Sequence, residues 1–146
     1  MSIQVSPHLN FNGDAREALT FYHSVFGGQL SIVTYADAHD AQAALSPDDV
    51  IWGQVQATNG FRVMAYDVQS AKAWNPGDNA FYLIVEGSTK EEITEYWGRL
   101  ICSGGIIQPL GPSQWSPLYG MLKDQFGIVW ALSVLSEAMP PETLQD

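Results

Sequence analysis

Two stretches of the chain place apolar residues every three or four positions, which is the spacing of an amphipathic helix. The first runs from Asp14 to Phe26, with Asn12 or Asp14 as its cap, and the second runs from Ser88 to Ser103. The second stretch opens with Ser88-Thr89-Lys90-Glu91, in which Ser88 and Glu91 have the spacing of a capping box. Each stretch predicts a helix that packs one face on a sheet.

Other segments have the β-branched and aromatic residues that are typical of strands. Residues 50–58 and 61–67 predict a hairpin, and the Asn59-Gly60 dipeptide between them favours a type I′ turn. Residues 119–123 and 128–134 predict a second hairpin around a turn at 124–127. Further strands are predicted at 32–35, at 80–85 and, in short form, at 106–107. Residues 36–49 have no β alternation and predict a surface loop with one helical turn.

These elements occur twice in the same order. The first copy consists of Phe11-Asn12-Gly13, the first helix and Gly27-Gly28. The second copy consists of Val85-Glu86-Gly87, the second helix and Gly104-Gly105. We expect both Gly-Gly pairs to end their helices in the left-handed conformation. The pattern predicts one domain, residues 1–146, built from two modules of strand, helix, strand and hairpin, at about 5–70 and 78–135. Residues 136–146 are expected to form a flexible tail.

Charge and composition limit the partners. Six Lys and Arg residues stand against 16 Asp and Glu, a formal net charge of −10, and no basic stripe offsets this charge, so nucleic acid is excluded as a partner. The charged fraction is low, at 15%. This favours surface buried between subunits, and we expect a homodimer.

Cysteine usage and apolar runs bear on location. Cys102 is the only cysteine, so no intrachain disulfide can form, and its place in the second predicted helix favours a buried, inert thiol. The N-terminus lacks a basic region followed by an apolar run, and no stretch has the roughly 18 apolar residues of a membrane span. We expect a cytoplasmic protein without a membrane partner.

A series of short motifs follows in a fixed order along the chain: Pro7-His8-Leu9-Asn10-Phe11-Asn12-Gly13, Glu17-Ala18-Leu19-Thr20-Phe21-Tyr22, Phe26-Gly27-Gly28, Gly104-Gly105, Trp115, Tyr119-Gly120 and Asp124-Gln125-Phe126-Gly127-Ile128-Val129-Trp130. These ordered motifs resemble the glyoxalase, bleomycin-resistance and extradiol-dioxygenase superfamily, also called vicinal oxygen chelate, and within it the PhnB-like branch. The likeness runs from about Val5 to Leu132. It implies an α+β fold of duplicated βαβββ modules, with curved mixed sheets around a cleft, within one chain or across a homodimer, and helices outside.

The resemblance also implies a divalent metal in the enzymatic members, bound by His and Glu from both modules. Here the usual ligand positions fall on Pro7, Met64, Ala80 and Ala131. A thioether is a poor ligand for hard or borderline ions, and His8 is the one candidate ligand nearby. We therefore expect no cofactor, with a divalent metal as the alternative.

His8 could bind an oxygen ligand or act as an acid or base, or it could be an ordinary hydrogen-bonded histidine. Asp37, His39 and Asp40 could chelate a metal, although loop residues of this kind are more often solvated. For Trp130 the core or a dimer interface is favoured. The residues that we expect to line the ligand cleft are His8, Asn10, Trp52, Gln54, Tyr66, Trp115 and Tyr119.

Strand alternation leaves two arrangements open for one of these residues. If Ile51, Gly53 and Val55 face the helix, then Trp52 and its alternate neighbours face the cleft. In the opposite arrangement Trp52 is buried as core.

Several chemistries lack their motifs. The sequence has no Gly-x-Ser-x-Gly elbow, no phosphate-binding loop, no Gly-x-Gly-x-x-Gly fingerprint and no cysteine pair. Sequences of the PhnB-like branch are sometimes described as ubiquinone methyltransferases. A nucleotide-type methyl-donor site would need a glycine-rich turn in a parallel βαβ unit, so methyl transfer is not expected.

The sequence thus predicts a PhnB-like protein that binds a small organic molecule in an aromatic-lined cleft without a catalytic metal. A binding or antibiotic-resistance type of protein is favoured over a metalloenzyme, and the acidic surface would suit a cationic ligand. One alternative is a metal-dependent lyase, isomerase or dioxygenase that uses His8. Another is a non-catalytic dimeric interaction protein. If this assignment of the fold were wrong, a duplicated ferredoxin-like α+β sandwich would be the nearest alternative.

Overall fold

A computed structural model describes residues 2–101 and 104–135. The chain divides into two compact units, Met1–Asp78 and Asn79–Asp146. Among the described residues each unit contains one α-helix and four strands, so the predicted duplication is confirmed. The predictions for Cys102 and for residues 136–146 lie outside the described residues. The elements are β1 (His8–Phe11), α1 (Ala15–Phe26), β2 (Gln29–Thr34), β3 (Val50–Gln56), β4 (Arg62–Asp67), β5 (Leu83–Gly87), α2 (Lys90–Leu100), β6 (Gly105–Gly111), β7 (Tyr119–Lys123) and β8 (Val129–Val134).

The two sheets have the same topology. The first has the strand order β1-β4-β3-β2 and the second has the order β5-β8-β7-β6. In each sheet the strand before the helix pairs in parallel with the last strand of its unit, and the other neighbours are antiparallel. These are the duplicated βαβββ modules with mixed sheets that the sequence predicted.

The core of the first unit lies between α1 and one face of its sheet. Ala18, Leu19 and Tyr22 of α1 are fully buried, as the helical spacing predicted. Gly53 of β3 lies directly beneath the helix, because a Cβ atom at this position would overlap Cδ1 of Leu19. Gly53 therefore faces α1, and alternation turns Trp52 to the opposite face.

The start of α1 is capped from a distant strand. Asp14 occupies the cap position, but its side chain makes no cap hydrogen bond. Instead, Oδ1 of buried Asp67 accepts hydrogen bonds from the N–H groups of Gly13 at 2.8 Å and Ala15 at 3.0 Å. Its Oδ2 accepts one from the N–H of Val50 at 2.9 Å. The carboxylate thus links β4, α1 and β3 in the interior of the unit.

The predicted cap of α2 is wrong by one residue. Thr89, rather than Ser88, is the N-cap, and its Oγ1 accepts a hydrogen bond from the N–H of Glu92 at 3.2 Å. Two overlapping Ser/Thr-x-x-Glu frames are present in the sequence, since Ser88 pairs with Glu91 as Thr89 pairs with Glu92. Ser88 instead joins the end of β5 at Gly87 to the cap.

The two Gly-Gly pairs do not end their helices in the same way, contrary to the prediction. Gly27 and Gly28 have positive φ values of 77° and 91°, although the ψ of −160° at Gly27 lies outside the left-handed helical region, whereas Gly104 and Gly105 have no positive φ. Gly104 serves a different purpose, because a Cβ atom there would overlap the carbonyl oxygen of Lys123 on β7. Gly28 makes the same close approach to Gln56, so the repeated requirement is for space beside a neighbouring strand.

Both predicted hairpins form, but the type I′ turn at Asn59-Gly60 is wrong. A type I′ turn needs positive φ at two residues, and here only Gly60 has one, at 102°. Residues 58–60 form a three-residue loop instead, closed by a hydrogen bond of 2.9 Å from Ala57 N–H to the Phe61 carbonyl. Gly127, with φ of 88°, closes the second hairpin in the same way.

Strand limits differ from the prediction where polar or exposed residues interrupt the pattern. Strand β2 begins three residues earlier than predicted, and β5 occupies Leu83–Gly87 rather than 80–85. Strand β6 extends over seven residues, because exposed Gln108 and Pro109 continue an edge strand that apolar alternation cannot reveal. The 36–49 segment is a loop with one turn of 3-10 helix at Ala41–Ala43, as predicted.

Trp130 is a core residue, as favoured from the sequence. It is buried on β8, and its indole Nε1 donates a hydrogen bond of 2.9 Å to Oδ2 of Asp124. Oδ1 of the same carboxylate accepts from the N–H groups of Phe126 and Ile128 at 2.9 and 3.0 Å. One buried acidic side chain therefore fixes both the turn and the tryptophan of the second hairpin. Among the described helices, neither has the length and apolar character needed to cross a membrane.

Candidate functional site

The face of the first sheet that is turned away from α1 carries most of the predicted site, and we call it the open face. Along β1, Leu9 and Phe11 are buried against the helix side, and His8 and Asn10 alternate with them. The same alternation on β3 and β4 places further side chains on the open face. Five of the predicted site residues share this face: His8, Asn10, Trp52, Gln54 and Tyr66.

His8 is held by its neighbours in a defined orientation. Its Nδ1 lies 3.1 Å from Oδ1 of Asn10, and its ring centroid lies 5.4 Å from that of Tyr66, with the ring planes at 69°. A carboxamide oxygen can only accept, so this contact suits the tautomer in which Nδ1 donates and Nε2 carries the lone pair. His8 therefore presents a lone pair that could accept a proton or a hydrogen bond.

Glutamine and arginine side chains form a chain of hydrogen bonds beside this group. Arg62 donates from Nη2 to Oε1 of Gln54 at 3.1 Å, and from Nη1 to Oε1 of Gln4. Gln54 extends this series of hydrogen bonds, because its Nε2 donates to Oε1 of Gln56 at 3.2 Å. These hydrogen bonds therefore connect Arg62 with Gln4, Gln54 and Gln56.

Two tryptophans border the polar network. Trp52 is 37% exposed, which is high for so large an aromatic side chain, and it lies opposite Val33 of β2. Trp74 lies in the segment after β4 and donates from Nε1 to the carbonyl oxygen of Asn10 at 3.3 Å. Partly exposed aromatic rings next to directed polar groups are typical of small-molecule sites.

The other two predicted residues belong to the second unit. Trp115 and Tyr119 meet edge to face, with ring centroids 5.2 Å apart. Gly120 lies against Trp97 of α2, so Tyr119 points to the opposite face of its sheet. Burial raises the pKa of the Tyr119 phenol, and the neighbouring Tyr82 raises it further through its charge and a hydrogen bond.

The second unit also has a surface cavity of about 610 Å³ that sequence reasoning did not anticipate. It lies where the start of α2 approaches the loop before β7. None of the predicted site residues lines it. Its lining residues are Ser88, Lys90, Pro112, Ser113, Gln114, Ser116, Pro117, Val134 and Leu135.

The positions that the resemblance assigns to a metal are spread over the two units. Pro7 immediately precedes β1, and the residue paired with Met64 in the sheet is His8. Ala80 precedes β5, and Ala131 lies on β8. Across residues 2–101 and 104–135, no group of three or more His, Cys, Asp or Glu side chains is placed to bind a metal ion.

The loop residues Asp37, His39 and Asp40 are exposed. Oδ2 of Asp37 accepts a hydrogen bond from the N–H of Thr34 at 3.1 Å, and this bond is the main cause that lowers the pKa of the carboxyl group. Asp37 therefore acts within the turn that follows β2. His39 has a φ of 58°, which is consistent with its position in the same turn.

Arg62 is the site residue that sequence reasoning missed. The signal was present, because Arg62 lies two residues before Met64 and four before Tyr66 on a predicted strand. Residues at these spacings share a face, so strand alternation alone would have placed the arginine beside the predicted site.

The duplicated modules and their mixed sheets are the fold of the glyoxalase and bleomycin-resistance proteins. A solved glyoxalase-related enzyme from Fulvimarina pelagi has the same fold, with a TM-score of 0.62 at 19% identity, covering 91% of this chain and 88% of that one. The sequence profile described as 3-demethylubiquinone-9 3-methyltransferase matches residues 3–133. The chain belongs to this family, which is the PhnB-like branch of the superfamily.

Two solved structures are more similar. A PhnB protein from Bacillus cereus, described as a putative 3-demethylubiquinone-9 3-methyltransferase, is 32% identical, with a TM-score of 0.73, and the match covers 90% of this chain and 99% of that one. Protein PA1353 from Pseudomonas aeruginosa is 29% identical, with a TM-score of 0.82, covering 92% and 98%. The similarity therefore extends over the whole of both modules.

Proposed function

We propose that this protein binds a small organic molecule on the open face of its first sheet. The observation that supports the proposal best is the convergence of His8, Asn10, Trp52, Gln54 and Tyr66 on that face. A face that served only as a solvated surface would not need exposed aromatic rings beside a directed imidazole and carboxamides. The cleft that the resemblance implies, with Trp115 and Tyr119 in it, stays a prediction.

The side chains have complementary tasks in this proposal. The Trp52 ring provides an apolar surface on which a planar ligand can stack, and Tyr66 supports the His8 ring from the side. Nε2 of His8 accepts a hydrogen bond from the ligand, because Asn10 holds the proton on Nδ1. Gln54 offers carboxamide groups for orientation.

Calorimetric titration with a panel of aromatic and heteroaromatic compounds tests the proposal. We expect Trp52→Ala to weaken the binding of any positive compound by about tenfold or more, since stacking contributes roughly 1–3 kcal/mol. The matched control is Phe81→Ala, which removes an exposed aromatic ring from the second unit. Equal loss in both variants, or no binding across the panel, would contradict the proposal.

A second candidate function is a metal-dependent reaction of the superfamily that uses His8 as a ligand. The orientation of Nε2 favours it, because an unprotonated imidazole nitrogen is a common metal ligand. Thermal melts of the protein with Mn, Ni, Zn or Fe distinguish the two candidates. A melting temperature that rises with one ion in wild type but not in His8→Ala would favour the metal-dependent reaction.

The name of the matching family describes a methyl transfer. The methyl donor should therefore be included in the same calorimetric titrations. Helix N-termini that follow a parallel strand can bind phosphate groups through free N–H groups. At the start of α1 the N–H groups of Gly13 and Ala15 donate to Asp67 instead. Because the Asp67 carboxylate already accepts from these donors, ligand binding on the open face is favoured over nucleotide binding at the helix.

A further inference from the structure

The open face of the first sheet has an unusual charge for this chain. The sequence contains 16 Asp and Glu residues against six Lys and Arg. On β1, β3 and β4, however, Asp67 is the one acidic residue, and it faces α1. The open face of these strands carries a single charged side chain, the guanidinium of Arg62.

Among residues 2–101 and 104–135, Arg62 has no anionic partner. Its two terminal nitrogens donate to the neutral carboxamide oxygens of Gln54 and Gln4. Its Nε is buried and has no hydrogen-bond partner. Within the described part of the chain the ion pair found joins two other residues, Glu95 and Arg99. The cation is therefore hydrogen-bonded but not neutralised.

An unneutralised and partly desolvated cation is costly. A buried charge without a counter-charge loses hydration that neutral acceptors replace only in part, and an unpaired N–H group adds to the cost. A chain with ten excess negative charges has many carboxylates with which it could neutralise this arginine. Leaving it unpaired on the face that carries Trp52 and Tyr66 makes sense if a ligand supplies the anion.

We propose that the ligand of the open face is an aromatic or planar organic anion whose carboxylate, or a similar anionic group, pairs with Arg62. This inference rests on the proposed function and specifies its ligand class. The planar guanidinium suits a two-pronged contact with a carboxylate. Gln4, in the exposed segment before β1, is the neutral partner that such a group displaces.

The inference differs from the expectation that an acidic protein favours a cationic ligand. Net charge describes the whole surface, whereas a bound ligand responds to the groups within a Debye length of about 10 Å. On the open face the local charge is positive. Asp37 and Asp40 of the loop 36–49 are exposed, so solvent and salt screen their charges.

Three probes of the same shape but different charge test the inference: naphthoate, naphthamide and naphthylmethylammonium. We expect naphthoate to bind wild-type protein about tenfold more tightly than the other two, and its affinity to fall with added salt. Arg62→Gln should abolish this preference, and Arg62→Lys should restore only part of it. Arg16→Gln, which removes an exposed cation from α1, is the matched control and should keep the preference.

The outcomes separate this inference from the proposed function. If naphthamide binds as tightly as naphthoate and both depend on Trp52, the ligand class is wrong and the binding face stands. If naphthylmethylammonium binds most tightly, the cationic expectation replaces the inference. If no probe causes chemical-shift changes on β1, β3 or β4, both the inference and the proposed function are overturned. Thermal melts of each variant confirm that it is folded.

Discussion

Asp67 caps the helix at Ala15 across 52 positions of sequence, with 3.0 Å between its Oδ1 and the amide nitrogen of Ala15. The same carboxylate binds the N–H group of Val50 through its other oxygen. The start of α1 and the start of β3 therefore both depend on a single buried side chain of β4 to satisfy their backbone donors.

Replacing Asp67 should destabilise the protein strongly. In Asp67→Asn one of the two oxygens becomes an NH2 group, which cannot accept a hydrogen bond. Either the donors at the start of α1 or the N–H group of Val50 therefore lose their partner. We expect a loss of roughly 2–4 kcal/mol in the free energy of unfolding, measured by urea denaturation. Asp78→Asn removes a charge from an exposed residue and should change this free energy by less than about 0.5 kcal/mol. Similar effects in the two variants would contradict the cap.

The two adjacent glycines after α2 should respond differently to alanine. At Gly104 a methyl group would overlap the Lys123 carbonyl, and separating the backbones should cost roughly 1–3 kcal/mol. At Gly105 a Cβ atom meets nothing within 4 Å, and the backbone has no positive φ. Gly105→Ala should therefore be neutral or slightly stabilising. Chemical denaturation of both variants measures the difference. Equal losses in the free energy of unfolding would contradict the explanation by close approach to β7.

Asp124 and Trp130 should be energetically coupled. Trp130→Phe keeps most of the apolar volume but removes the indole N–H that donates to Asp124. A double-mutant cycle with Asp124→Ala should give a coupling free energy of about 1 kcal/mol or more, because a charged acceptor is lost in one variant and its donor in the other. Additive effects would show that the contact contributes nothing to stability.

The pH dependence of stability should reveal the cost of ionising Asp49 in the folded protein. Burial, followed by the negative charge of Asp67, raises the pKa of the Asp49 carboxyl above its usual value of 3.8. The folded state then binds this proton more tightly than the unfolded state, so the contribution is favourable below pH 3.8 and is lost as pH rises through the folded pKa. Asp49→Asn should raise the melting temperature at pH 7 and have little effect in strong acid. The adjacent Asp48→Asn variant serves as the comparison.

We propose that two copies of the chain associate through exposed apolar residues of the second unit. Ile106 and Ile107 are 56% and 54% exposed on β6, which is an edge strand and so presents unpaired backbone groups as well. Light scattering after gel filtration at micromolar concentration should give the mass of a dimer for wild type. The Ile106→Glu/Ile107→Glu variant should give the mass of a monomer, and a monomeric wild type would refute the association.

The elements of this fold could be predicted because each has a local signal. Helical spacing identified α1 and α2, and turn glycines located both hairpins. The failures concern groups that act across long distances in sequence. No local pattern indicates that Asp67 rather than Asp14 caps α1, or that Gly104 is needed for its neighbour on β7, since both facts arise only when strands come together.

The candidate site was predictable to the extent that alternation determines it. Once Gly53 is known to face α1, the positions of Trp52 and Gln54 follow. The sequence could not say which of the two arrangements applies, because Ile51 and Trp52 are both large and apolar. The role of Arg62 could not be predicted for a different reason: the significance of an arginine without a counter-charge depends on which residues surround it in the folded sheet.

The hydrogen bond from Trp74 to the carbonyl of Asn10 has a consequence for solubility. Strand β1 lies at the border of its sheet, where an outward carbonyl could otherwise recruit a strand from a second molecule. An indole already bonded at that point blocks the pairing. We therefore expect Trp74 to lower the tendency of this strand, which carries His8, to aggregate.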